Sequence, residues 1–227
     1  MEILKFVSFF IPPLIAFFIY IYLRYRFRQW AFSLLIKAFF WGAFSIVLVL
    51  SVQILASYFD LDRLSNLRRI LFYSLVVSAF FAELGKFFFL KVFIYPREEF
   101  KTPVDGIIFA VMISMGFATM NNLLYFINIP NLAVDVPNAL TAGPANLIFG
   151  VLLGFFIGLG KLRKMRYIDS MTGLIAAVFF HALYSFCLIT SDYKLLWAFF
   201  IGSSVVVLSL CVAALRIHSE AKNEEKK

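Results

Sequence analysis

Glu83 and Lys86 stand three positions apart inside a run of otherwise apolar residues long enough to cross a bilayer. A charged side chain at the bilayer centre costs roughly 2.5–3.5 kcal/mol on insertion scales, so such residues are rare and usually face a protein interior or a water-filled cavity. Glu83 is therefore a functional-site candidate. Its competing reading is structural: an acid and a base at i,i+3 lie on one helix face, neutralise one another and hold neighbouring helices in register. Two further apolar runs repeat the anomaly. One carries the adjacent amides Asn121 and Asn122; another has His181 near its centre with Ser185 one turn further on. Amides between membrane helices can be glue worth about 0.6–2 kcal/mol per contact, and a lone histidine can be a satisfied core residue. Together with Glu83, however, these residues point to a polar cavity able to handle protons.

The elements that must position them are membrane helices. Of 227 residues, 63% are hydrophobic and 15% charged, and the mean hydropathy is +0.91, values no ordinary soluble domain approaches. The apolar runs are near 20 residues and unbroken rather than alternating over about ten, which favours an all-α bundle over a β-barrel. The net charge of +8 comes from short basic patches flanking those runs, the pattern that sets membrane topology, so no nucleic-acid partner is expected. Cys187 and Cys211 lie inside predicted spans without metal-knuckle spacing or a disulfide framework. Arg24, Arg26 and Arg28 follow the first apolar run where a cleavable signal would have small residues.

The chain thus predicts a single integral membrane domain over 1–227, a polytopic helical bundle of about seven spans. These are approximately Ile3–Leu23, Ala38–Phe59, Ile70–Ile94, Val104–Ile129, Pro144–Leu159, Met171–Ile189 and Leu195–Leu215. With the N-terminus outside and the C-terminus inside, fifteen basic residues fall on the cytoplasmic side and five outside, the arrangement the positive-inside rule prefers. Residues 216–227 form a cytoplasmic tail without chemistry.

Within that frame, Pro12 and Pro13 should kink or break the first span unless neighbours satisfy the carbonyls they release. The second span has room to begin as an interfacial helix from Trp30. Thr102-Pro103-Val104-Asp105 reads as a capped helix start, which makes Asp105 structural and the third and fourth spans a tight hairpin. Pro130 to Pro144 reads as a connector. Gly150, Gly154 and Gly158 form a small-residue ridge for close helix approach.

In order and spacing these pieces resemble the PrsW family of intramembrane proteases, distant relatives of the type II CAAX prenyl endopeptidases. The resemblance covers residues 70–189 and is most specific in Ala82-Glu83-Leu84-Gly85-Lys86 and in Gly116 to Tyr125. Glu83, Lys86, Phe117, Asn122, Pro144, Gly150, Gly154 and His181 match the family pattern. Ala82 stands where the family has a glutamate, Asn121 where it has another, Asn146 where it has a histidine and Ser185 where it has an acid. The resemblance implies a peptidase in which Glu83, or the family glutamate that Ala82 replaces, activates water, His181 positions that water or binds metal, and Asn122 donates to the oxyanion.

The substitutions bear directly on that chemistry. A catalytic zinc usually takes three protein ligands, and only Glu83 and His181 remain as credible ones, so no metal or other cofactor is expected unless the lost ligands are restored. The resemblance therefore implies an endopeptidase scaffold for single-span membrane proteins, such as anti-sigma factors, with impaired or absent activity. The alternative is a non-catalytic pseudoprotease that binds transmembrane helices. A small transporter with a Glu83–Lys86 relay is weaker, since no inverted repeat is visible. The expected location is a bacterial plasma membrane, and the expected partners are lipid and a single-span membrane protein.

Overall fold

A computed structural model describes residues 2–26, 32–127, 136–163 and 166–224. All regular structure among them is helical: α1 (Glu2–Arg26), α2 (Phe32–Tyr58), a composite rod α3 spanning 67–94, α4 (Pro103–Phe126), α5 (Val136–Leu162), α6 (Arg166–Ile189) and α7 (Tyr193–Glu224). Six of these, all but α3, are single α-helices long and apolar enough to cross a membrane. Rod α3 runs as Leu67–Phe72 and Phe81–Phe89 in α form, with wider π turns at Tyr73–Phe80 and Leu90–Ile94. Every junction residue keeps right-handed helical backbone angles, so the rod is continuous. At roughly 1.5 Å per residue it is long enough for a hydrocarbon core of about 30 Å. The two π segments flank Glu83 and Lys86, and such widened turns recur at functional sites.

The bundle is built around the α4–α5 hairpin. Buried positions make up 67% of the α4 span and 83% of the α5 span, against 22–44% for the other four. A helix buried on nearly every side can present polar groups only to other helices, which makes α4 and α5 the frame of any internal site. The outer helices turn Phe18, Phe44, Trp197, Ile201 and Val212 outward, apolar surface that suits lipid.

Small residues set how closely these helices approach. A side-chain carbon on Gly154 would meet the Gly106 carbonyl, and one on Gly158 would lie 2.6 Å from the Pro103 Cα. The predicted ridge on α5 therefore packs directly on the α4 backbone. On the other side of α4, Gly42 of α2 faces the Ile113 carbonyl and Gly116 faces that of Phe39. The start of α4 is fixed as its sequence predicts: Thr102 accepts from the Asp105 amide, while the Asp105 carboxylate accepts from the Thr102 amide at 2.7 Å.

Three boundaries differ from expectation: α2 and α5 begin early, and α7 runs past Leu215 to Glu224, so much of the expected tail is helical and its His218 lies 3.2 Å from Thr102 Oγ1. Helix α1 passes through Pro12 and Pro13 without a break. Pro12 cannot donate to the Ser8 carbonyl four residues back, but the Asn122 amide of α4 does, at 2.7 Å. Helix α2 is one helix from Phe32, and Trp30 lies outside the described residues. Helix α5 begins at Val136 rather than Pro144, so the later part of the expected connector is helical. Pro137 sits at the helix start, where its missing donor costs nothing. Within that segment Thr141 bonds the Tyr184 hydroxyl of α6 at 2.7 Å, which ties the early turns of α5 to the bundle.

Candidate functional site

Helices α3, α5 and α6 bring four of the sequence-predicted residues together inside the bundle. Lys86 Nζ donates to Glu83 Oε1 at 2.5 Å and to Asn146 Oδ1 at 2.9 Å. His181 Nδ1 lies 2.7 Å from the same Glu83 Oε1, which fixes the proton on Nδ1 if the carboxylate is ionised. Asn146 Nδ2 donates to the Ala142 carbonyl one turn back on α5. Glu83 and Lys86 are both 0% exposed, and Asn146 and His181 are buried.

Local sequence explains each placement. The i,i+3 spacing puts Glu83 and Lys86 on one face of the α-helical part of α3. Asn146 and Phe149 share a face of α5 by the same spacing. The Phe149 ring stacks on the His181 imidazole with centroids 4.6 Å apart and planes 9° from parallel. The Lys86 ammonium lies 4.8 Å from the Phe117 ring centroid and 5.4 Å from that of Phe149. Two aromatic faces and two hydrogen bonds thus stand in for the water this cation has lost.

The remaining predicted residues occupy other surroundings. Asn122 is tied to the backbone of two helices, donating to the Ser8 carbonyl of α1 and the Ala139 carbonyl of α5 at 2.9 Å, and its hydrogen bonds leave it out of the Glu83–Lys86–His181 network. The expectation that it shares a pocket with Glu83 and His181 is corrected to this extent: its amide serves the Ser8 carbonyl of α1, which Pro12 leaves without its in-helix donor. Ala82 is buried with Ile46, Val49, Phe117 and Leu124 in an apolar cluster between α2, α3 and α4. Asn121 is half-buried one turn beyond Phe117, on the helix face that leads to that cluster. Ser185 pairs with Ser78 of the first π segment, oxygen to oxygen, at 2.9 Å.

Phe149, Ser78 and Tyr184 escaped the sequence reading. Tyr184 is buried three positions after His181, packs on Phe149 and hydrogen-bonds Thr141 and Asn138. Its spacing from His181 was the available signal, but an aromatic residue in a chain with thirty phenylalanines reads as lipid contact or core.

The helices and this internal cluster define a polytopic membrane protein with a buried charged site. The family model described as PrsW family intramembrane metalloprotease matches residues 31–215. The chain belongs to that family. Its relatives include Protease PrsW of Geobacillus kaustophilus (strain HTA426), 26% identical over 214 residues, 93% of this chain and 90% of that one. Protease PrsW of Halalkalibacterium halodurans (strain ATCC BAA-125 / DSM 18197 / FERM 7344 / JCM 9153 / C-125) is 32% identical over 177 residues, 77% of this chain and 79% of that one. No solved structure matches the chain. The protein is a multi-pass integral membrane protein of a bacterial membrane.

The family's description includes a metal, and the donor set can be tested for it. Among the described residues no three His, Cys, Asp or Glu side chains cluster closely enough to hold an ion. The site offers two metal-ligating side chains, Glu83 and His181: Oε1 and Nδ1 are bonded to each other, and although Glu83 Oε2 is unpartnered, the Lys86 ammonium lies against the same carboxylate. A dication there would meet a fixed positive charge and an amide that ligates zinc poorly, so these residues do not fit the family's metal.

Proposed function

We propose that this chain is a PrsW-family membrane protein that has lost peptidase chemistry and holds, without cleaving, the transmembrane helix of a single-span client. One observation carries the reading. The Glu83 carboxylate is buried, neutralised by Lys86 and bonded to His181 through the same oxygen, so the family-type base is committed to an internal network. General-base catalysis needs a carboxylate with access to a water and to the scissile bond. The helix-binding part of the proposal is supported by the glycine ridge on α5, the capped α4 and the close α2–α4 crossing, which hold a tightly packed bundle in a chain of an intramembrane protease family.

The test is capture in nanodiscs. A single-span helix carrying a photo-reactive residue at mid-membrane depth should crosslink to this chain above the level of a polyleucine control and be recovered uncut. Crosslinking no better than the control removes the client-holding reading; cutting that Glu83→Gln abolishes replaces it with a working protease.

One observation favours that second reading. Glu83 Oε2 is buried without a protein partner, which leaves one carboxylate oxygen free to accept a proton. In this version Glu83 and His181 suffice for slow hydrolysis.

We read the orientation as seven passes with the N-terminus outside, supported by the fifteen-to-five division of basic residues. Membrane-impermeant thiol labelling from outside should reach a single cysteine placed in the Asn131–Asn138 stretch, of which 131–135 lie outside the described residues, and spare one at Tyr167. The opposite pattern inverts the topology.

A further inference from the structure

At the end of the bundle where α3 and α5 finish and α6 begins, three cations from three helices gather, and among the described residues none of them is ion-paired with a carboxylate. Lys91 of α3 donates to Ser170 Oγ of α6 at 2.9 Å, and its ammonium lies 3.7 Å from the centroid of the Tyr95 ring. Lys161 of α5 lies 4.5 Å from the same ring centroid and donates to the Tyr95 carbonyl at 2.7 Å. Arg166 opens α6 and is exposed, and its carbonyl accepts at 2.7 Å from Ser170 Oγ, the hydroxyl to which Lys91 donates. The carboxylate on this part of α6, Asp169, lies 3.9 Å from Arg163 and forms an ion pair with neither lysine.

One tyrosine ring can favour a cation through its negative face, but two ammonium groups on that ring and a guanidinium beside them repel one another. Each ammonium has three N–H donors and shows one protein acceptor. The remaining donors, on half-buried side chains at helix ends, suit an anion with several acceptor oxygens that can bridge all three helices. Basic pockets between membrane helices on the cytoplasmic side are where anionic head groups bind, and the charge distribution assigns this end of the bundle to that side.

We propose that Lys91, Lys161 and Arg166 form a binding site for the phosphate of an anionic phospholipid head group, which joins α3, α5 and α6 at the membrane surface. The site lies at the bundle end, away from the Glu83 network, and does not depend on whether the chain is a peptidase.

Native mass spectrometry of the full chain in detergent, titrated with phosphatidylglycerol or phosphatidylcholine, tests it. The intact chain should retain phosphatidylglycerol at least tenfold more tightly. Arg166→Gln, an exposed change that leaves the packing untouched, should weaken that retention about fivefold, and Lys91→Gln with Lys161→Gln about 25-fold. Lys91→Arg with Lys161→Arg should keep it, which separates lost charge from lost folding. Arg97→Gln with Lys101→Gln, exposed bases of the neighbouring turn, should change it little. Equal loss in that last pair, or no preference between the two lipids in the intact chain, overturns the site. A thermal shift with inorganic phosphate alone as large as that with phosphatidylglycerol assigns the cations to a soluble phosphate and overturns the lipid reading.

Discussion

Ala82→Glu and Asn121→Glu together should raise cleavage of a helical membrane substrate by roughly 10²–10⁴ over the unmodified chain, the span commonly supplied by positioned acid–base groups. Leu124, one turn beyond Asn121, and Phe117, one turn before it, both pack in the cluster that buries Ala82, so acids at 82 and 121 would approach each other across the α3–α4 contact beside Glu83. Ala82→Glu alone places a carboxylate among Ile46, Val49, Phe117 and Leu124, where burying an unpaired charge is costly, so the single variant should lose stability and gain nothing. If the pair is insufficient, Asn146→His adds a nitrogen at a position already within hydrogen-bond reach of Lys86. The gained activity must vanish with Glu83→Gln and with His181→Ala. Should the unmodified chain cut the same substrate at a rate these restorations do not improve, the proposal that its chemistry is lost is wrong, and Glu83 with His181 is enough.

The second large effect is on stability. Lys86→Met leaves the Glu83 carboxylate buried with His181 as its one partner, and Glu83→Gln leaves the Lys86 ammonium facing an amide and two rings. Breaking a buried ion pair on one side costs about 3–5 kcal/mol, because the surviving charge is uncompensated, whereas replacing both partners is often close to neutral. Each single variant should therefore unfold at markedly lower temperature in detergent micelles. The Glu83→Gln, Lys86→Met double variant should recover most of that loss, since glutamine still offers His181 an acceptor oxygen. A double variant destabilised by the sum of the singles would show that the two charges are not coupled, against the 2.5 Å geometry.

The sequence by itself determined that this chain is an all-helical membrane bundle, because uninterrupted apolar runs near the thickness of a bilayer leave few alternatives in a solvent that cannot satisfy backbone groups. Local chemistry also determined the capped start of α4 at Thr102–Asp105 and the small-residue ridge on α5, since caps and four-residue spacings act within a turn or two. The pairing of Glu83 with Lys86 was legible for the same reason: it needs one helix and nothing else.

What each polar residue meets on another helix was decided by tertiary structure. Asn121 and Asn122 look equivalent in sequence, yet a rotation of one residue, about 100° around α4, turns Asn122 to the Ser8 and Ala139 carbonyls and leaves Asn121 half-buried. The demand that captured Asn122 arises at Pro12, 110 positions away, and becomes visible only once α1 lies against α4. The meeting of His181 with Glu83, and of Asn146 with Lys86, likewise depends on how closely glycine lets α5 approach α4 and on where α6 then packs. Side-chain periodicity fixes which face of a helix is polar; only the packed bundle fixes which partner stands opposite.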